Sequence, residues 1–298
     1  MTTPRFGRVL TAMVTPFRPD GAINFDVAIE LAEHLVKEGV DGLVVGGSTG
    51  EGSSLSDKEK LELFACIAGA VSVPVLAGST FADTARSVEL TSQVIDTGVT
   101  GILATTPAYA RPSQRGVKEH FAAIAESTEL PIMLYDIPVR TGRKIAGQTT
   151  IELVSEHANI VAIKDASGDT VTAAHYKAVL GEAIDLYSGD DAVLLPFMAV
   201  GAVGIVSVAA HWAAREFAGL VSSVEKDDWA KARVFNETLV VSCAFESSED
   251  YPNPMPTKAA LRALGFNVGQ CRLPHPASDD ALDSRAAELM AALRATRG

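Results

Sequence analysis

Eight short apolar runs rich in β-branched residues recur along the chain, and amphipathic helical segments separate them. The runs are VLTAMVTPF, GLVVGGS, VPVLAGS, GILATTP, PIMLYDIP, NIVAIKD, IDLYSGD and GIVSVAA; between them lie stretches such as FDVAIELAEHLVKEG and RGVKEHFAAIAES. Strands apolar on both faces and joined by helices belong to a parallel sheet covered on both sides. Eight such units within about 225 residues fit a closed barrel. The competing arrangement is an open doubly wound sheet, which the unit count and the lack of a GxGxxG after the first strand disfavour. Punctuation agrees with the helical reading. KEGVDG and DTGVTG place Gly where a helix wants a left-handed end, and Ser56 and Asp83 stand where helices open.

From about Ala213 the pattern changes: helical segments follow one another without a strand, and PNPMP at 252–256 is a Pro-rich bend between two of them. The expected fold is therefore α/β, a (β/α)8 TIM barrel over residues 1–225 that carries the chemistry, with a C-terminal helical domain over 226–298.

Composition narrows the function. With 298 residues, 47% of them hydrophobic, the chain can bury a large core. Its formal net charge of −12 and the lack of a Lys/Arg cluster argue against a nucleic-acid partner. Cys66, Cys243 and Cys271 are scattered and odd in number, which points to a reducing cytoplasm. No apolar run approaches the roughly 18 residues of a membrane span, and the N-terminus lacks an export signal. A soluble, cytoplasmic protein is expected.

In such barrels the reactive groups sit at the C-terminal ends of the strands. Those ends deliver GGSTGE, TTPAYARP, YDIPVRTG, Lys164 and SGDD. Lys164 is the anomaly, because it ends a strand that reads as buried. A buried ammonium must be paired or give up its proton. One reading is an amine that attacks a ketone to form an imine, which requires a lowered pKa. The other is a structural ion pair with Asp165 or Asp190. Asp165 is a poor partner, because adjacent strand residues face opposite ways.

The remaining groups carry similar alternatives. Ser48 and Thr49 offer hydroxyls for a carboxylate or a proton, or serve as turn residues. Tyr135 and Tyr109 are proton carriers or merely satisfied phenols. Arg140 offers a planar fork for a carboxylate, or is a solvated surface cation. GGSTGE lacks the GKS/T ending of a phosphate loop, and the acids of SGDD would repel phosphate. His34, His120, His157 and His175 lie singly in helical segments as surface or capping residues. His211 and His275 have no partner at ligand spacing, so no metal is expected.

Taken in order, GSTGE, TPAYARPSQ, YDIPVRTG, AIKDASG and SGDD resemble the dihydrodipicolinate synthase / N-acetylneuraminate lyase family, the lysine-imine pyruvate aldolases. The likeness covers the whole barrel and extends into PNPMPTKAAL. It implies a lyase needing no cofactor. Lys164 would form the imine and Tyr135 would move protons beside it. Ser48 stands at a relay position held by Thr or Ser, and Tyr109 matches a tyrosine that reaches across a dimer interface to complete that relay. Thr49 and the Val206 carbonyl match pyruvate contacts, and Arg140 matches the arginine that binds the second substrate's carboxylate. A homotetramer built from dimers is implied.

Within the family, PVRTG and TPAYARPSQ lean towards the synthase, which condenses pyruvate with aspartate semialdehyde on the lysine/diaminopimelate pathway. Ser48 leans towards the lyases, which act on sugar acids; a hydroxy-oxoglutarate lyase is a related alternative. A silent barrel that only binds a keto acid is the alternative from another class. Lysine-inhibited members carry an Asn and a Glu within the segment TFADTARS and a Tyr before the relay tyrosine. This chain has Ala82, Arg86 and Ala108 there, which implies little or no inhibition by lysine.

Overall fold

In the computed structural model, which describes residues 3–297, all eight apolar runs form strands of one sheet. They are β1 (Val9–Ala12), β2 (Gly42–Val45), β3 (Val75–Ala77), β4 (Gly101–Thr105), β5 (Ile132–Asp136), β6 (Ile160–Asp165), β7 (Asp185–Ser188) and β8 (Gly204–Ser207). Each pairs in parallel with the next, and β8 pairs with β1, so the sheet closes as a (β/α)8 barrel. The pairing of β5 with β6 slips by one residue after Ile132, which sets Tyr135 beside Lys164.

Alternation along the strands builds two cores. Leu10, Val44, Leu76, Leu103, Met133, Ala162, Tyr187 and Val206 fill the barrel, while Val9, Leu43, Val75, Ile102, Leu134, Ile163, Leu186 and Ile205 pack against the surrounding helices. Helix boundaries follow the expected chemistry. Ser56 and Glu59 form a reciprocal capping box, Asp83 caps the helix Thr84–Val94, and Gly39 and Gly98 take positive φ just past helix ends.

After β8 come the helices Ala210–Glu225, Trp229–Phe245, Met255–Ala263 and Asp280–Arg297. Their buried side chains, among them Phe217, Leu239, Leu261 and Leu289, join the same apolar cluster as the outer strand faces. Glu51, on the loop after β2, forms an ion pair of 2.6 Å with Lys258 and accepts a hydrogen bond from the Arg272 backbone at 2.8 Å. These contacts tie the C-terminal helices to the strand-end loops. Among the described residues, no helix is long and apolar enough to cross a membrane, and no group of three or more His, Cys, Asp or Glu is arranged to hold a metal ion.

Candidate active site

Lys164 is the penultimate residue of β6, with its side chain on the inward face, and only 4% of it is exposed. Its neighbour Asp165 points outward and accepts a hydrogen bond from the Tyr176 phenol at 2.9 Å. Strand alternation thus removes the first of the two suggested ion-pair partners. Asp190 is exposed and accepts instead from the Ala192 backbone at 2.9 Å. Among the described residues, no hydrogen bond or ion pair engages the Lys164 amine. Burial, reinforced by the Arg140 charge and opposed by Asp191 and Glu246, holds its pKa down at about 8.

Tyr135 lies next to Lys164 in register across β5 and β6, and the amine sits 4.3 Å from its ring centroid. Burial pushes the phenol up to about 12, partly offset by the Arg140 charge and the Ser48 hydroxyl. The phenol is therefore protonated at neutral pH, a proton donor first and a base only after it has given that proton away. Gly189 makes room here: a Cβ at that position would lie 2.8 Å from Lys164 Cγ.

A cavity of about 370 Å³ opens above these groups, lined by Ser48, Thr49, Tyr135, Arg140, Lys164 and Asn253, among others. Thr49 is buried, and its hydroxyl accepts from the Asn253 side chain at 2.9 Å; Asn253 in turn accepts from Thr257 at 2.9 Å. The Arg140 guanidinium is tethered by a 3.1 Å bond to the Asn253 carbonyl, although much of the residue is exposed. That tether holds a cationic fork at the rim. Val206 lies in β8 with its side chain in the barrel core; on that strand's side the cavity lining begins at Val208.

Tyr109 does not join this group. It is 97% exposed at positive φ, on the loop after β4, and lines no part of the cavity. His120 departs from the surface or capping place expected of it. It is 3% exposed, its Nδ1 meets the Thr84 hydroxyl at 2.8 Å, and burial pushes its pKa down to about 4. His211 is also buried. Its Nδ1 faces the Val208 carbonyl and its Nε2 accepts from the Val14 backbone, so both ring nitrogens are engaged in structural bonds.

A second cavity, of about 400 Å³, shares Ser48 and Arg140 with the first and is walled by Lys60, Phe81, Ala82 and Ala108, among others. Lys60 is 1% exposed, donates to the Gly78 carbonyl at 3.0 Å, and is held down at about 8 by burial. Arg86 lies over the Phe81 ring at 3.7 Å and pairs with Asp57 at 2.7 Å.

Two residues of the first cavity, and one acid flanked in the chain by two others of its lining, escape sequence reasoning. Asn253 and Glu246 come from the C-terminal helical region, about 200 residues away from Thr49 along the chain. The bend PNPMP was their only visible signal. Asp191 was read merely as one of two acids after β7, yet it is the buried one, at 4% exposed.

The sequence profile of the Dihydrodipicolinate synthetase family matches residues 5–293. A 4-hydroxy-tetrahydrodipicolinate synthase of Thermosynechococcus vestitus is 41% identical over 283 residues, covering 94% of this chain and 95% of that relative. One from Mycolicibacterium paratuberculosis is 43% identical over 291 residues, covering 97% and 95%. The crystal structure of a dihydrodipicolinate synthase from Bacillus anthracis superposes with a TM-score of 0.93 at 38% identity, over 97% of this chain and 99% of that one. A dihydrodipicolinate synthase from Cyanidioschyzon merolae, solved with lysine bound, superposes with a TM-score of 0.93 at 36% identity, over the same shares.

Proposed function

The chain belongs to the dihydrodipicolinate synthetase family, enzymes of the pyruvate-dependent aldolase type, and on that premise we propose that it joins pyruvate to L-aspartate semialdehyde through an imine on Lys164. The observation that carries this reading is a buried amine near pKa 8, with no partner among the described residues, beside a protonated phenol. An amine held near neutrality is nucleophilic at working pH without needing a separate base.

In the proposed reaction the neutral Lys164 amine adds to the pyruvate carbonyl carbon. Tyr135 supplies the proton with which the hydroxyl leaves as water. Loss of a methyl proton from the resulting iminium gives an enamine, whose carbon attacks the aldehyde carbon while the aldehyde oxygen takes up a proton. The substrate's own amine then adds to the iminium carbon and displaces Lys164, which closes the ring of 4-hydroxy-tetrahydrodipicolinate. Thr49, fixed by Asn253, holds the pyruvate carboxylate together with the Val206 carbonyl, and Arg140 holds that of the aldehyde. Ser48 passes protons from Tyr135, and Tyr109 completes the relay from a neighbouring subunit. Its near-complete exposure at the barrel mouth favours a homo-oligomer, a tetramer built from dimers. The helices from 226 onward act as an appendage that brings Asn253 to the strand ends.

Insensitivity to lysine belongs to the same reading. The second cavity presents Lys60 in its wall, with Arg86 close by against Phe81, and Ala82 and Ala108 where an ammonium ligand would need an amide and a phenol. The test of function is an assay of pyruvate turnover over a panel of aldehydes, with N-acetylneuraminate cleavage run in parallel. Aspartate semialdehyde should be consumed fastest. Faster cleavage of the sugar acid would replace the synthase reading with the lyase one.

A further inference from the structure

The run ARPSQ, residues 110–114, leads from the loop after β4 into the helix Gln114–Glu126, and its polar groups reach across to the stretch that leaves β5 and carries Arg140. Gln114 engages both ends of its amide there. Its Nε2 donates to the Lys144 carbonyl at 2.8 Å, and its Oε1 accepts from the Ala146 backbone at 3.0 Å and the Thr149 hydroxyl at 2.9 Å. Two donors at the oxygen and a carbonyl at the nitrogen fix which way the amide points. Arg111 Nε donates to the Gly142 carbonyl at 2.9 Å, and Arg143 Nη2 donates back to the Arg111 carbonyl at 3.0 Å. The Tyr109 backbone donates to the Thr141 carbonyl at 3.3 Å. Arg111 is held at a φ of 47°, in the left-handed region. Its stem crosses Gly142, where a Cβ would lie 3.3 Å from Arg111 Cγ and Cδ.

Arg140 needs such support. It sits in a four-residue helical turn, Pro138–Thr141, which is too short to be stable alone, and the tether to the Asn253 carbonyl fixes one guanidinium nitrogen. On its N-terminal side the turn is anchored by β5. On its C-terminal side the anchors are Asp136, which accepts from the Ile145 backbone at 3.1 Å, and the bonds from Arg111 and Gln114. We infer that Gln114 and Arg111 are positioning residues for Arg140: they hold the turn after β5 so that the guanidinium meets the carboxylate of the second substrate. The inference rests on that reading of Arg140. Neither side chain lines the lysine cavity, so neither touches pyruvate or the aldehyde there. Reactive geometry tolerates little slack, since a misplacement of about 1 Å can cost about a hundredfold in rate. A role confined to stapling helices together would weaken the whole fold and both halves of the reaction. A role through Arg140 weakens only the half in which the aldehyde binds.

The experiment is steady-state kinetics with pyruvate and aspartate semialdehyde varied separately, in wild type, Gln114→Leu, Arg111→Ala, Arg140→Ala and the double variant Gln114→Leu/Arg140→Ala. Leucine keeps the volume of Gln114 and removes its hydrogen bonds. Gln114→Leu should lower kcat/KM for aspartate semialdehyde about tenfold and leave kcat/KM for pyruvate within about twofold of wild type. Arg111→Ala, which removes one exposed bond, should move the same way by about two- to fivefold. In the Arg140→Ala background, Gln114→Leu should cost nothing further, because the residue it positions is gone. Equal losses for both substrates in Gln114→Leu would reveal a merely structural role and overturn the inference. So would a loss that adds in full to that of Arg140→Ala. If Gln114→Leu does not fold, Arg111→Ala decides, and an unchanged kcat/KM for aspartate semialdehyde there overturns the inference. If Arg140→Ala alone spares aspartate semialdehyde, the carboxylate reading of Arg140 falls and the inference with it. That single variant therefore distinguishes the two failures.

Discussion

Lys258 and Lys164 lie equally deep, at 1% and 4% exposed, yet their surroundings differ in one respect. The Lys258 amine meets Glu51 at 2.6 Å, the Gln270 carbonyl at 3.0 Å and the face of Phe17. Lys164 meets the face of Tyr135, lines a cavity and has, among the described residues, no ion-pair or hydrogen-bond partner. Burial lowers both, but at Lys258 Glu51 opposes the shift at contact distance, whereas at Lys164 the nearest opposing charge is Asp191, beyond ion-pair range. A paired buried lysine ties segments together, here the loop after β2 and the C-terminal helices. An unpartnered one costs stability and keeps its nucleophilicity.

The comparison predicts opposite outcomes for the same substitution. Lys164→Met should cost at least about a thousandfold in turnover. It should also raise stability at pH 7 by about 1–3 kcal/mol, because the ammonium of the folded state is poorly solvated. Lys258→Met should cost about 3–5 kcal/mol of stability, because it strands the Glu51 charge. Urea denaturation reads both, and a loss of stability in Lys164→Met would erase the distinction.

Arg140→Ala should lower kcat/KM for the carboxylate-bearing aldehyde about 10–100-fold while pyruvate trapping on Lys164 continues. Equal losses with aldehydes that lack a carboxylate would show that Arg140 acts elsewhere.

pH sharpens the comparison further. The kcat/KM for pyruvate should rise roughly tenfold per pH unit up to about 8 and then level, as the Lys164 amine becomes neutral. The stability sign follows from the depressed folded value. The unfolded chain binds the proton more tightly, so the penalty is full below about 8 and fades as pH rises towards the ordinary lysine value. A rate flat between pH 6 and 9 would count against a neutral-amine mechanism. The smallest expected effect is that of free lysine: at millimolar concentration it should leave the rate unchanged, and a halved rate would restore an effector site at the second cavity.

What the sequence made legible follows from the range of its signals. Strand periodicity is local, so the eight strands, the closure and the inward direction of Lys164 were all readable from NIVAIKD and its companions. Helix caps such as Ser56 and Asp83 are local too. Which acid faces the lysine is not, because Asp191 rather than Asp190 is buried by the path of the turn after β7. Asn253 and Glu246 reach the cavity only through the packing of the C-terminal helices, and no spacing rule connects residues so far apart. The buried state of His120 depends likewise on the helix that presents Thr84.

The central claim is that Lys164, alone among the buried lysines, is free to bond covalently to a keto acid. Incubation with pyruvate and borohydride near pH 8, followed by peptide mass mapping, tests it directly. The predicted result is one reduced adduct, on the peptide that carries Lys164, with Lys60 and Lys258 unmodified. An unmodified Lys164 peptide, or equal labelling at Lys60, would contradict the account.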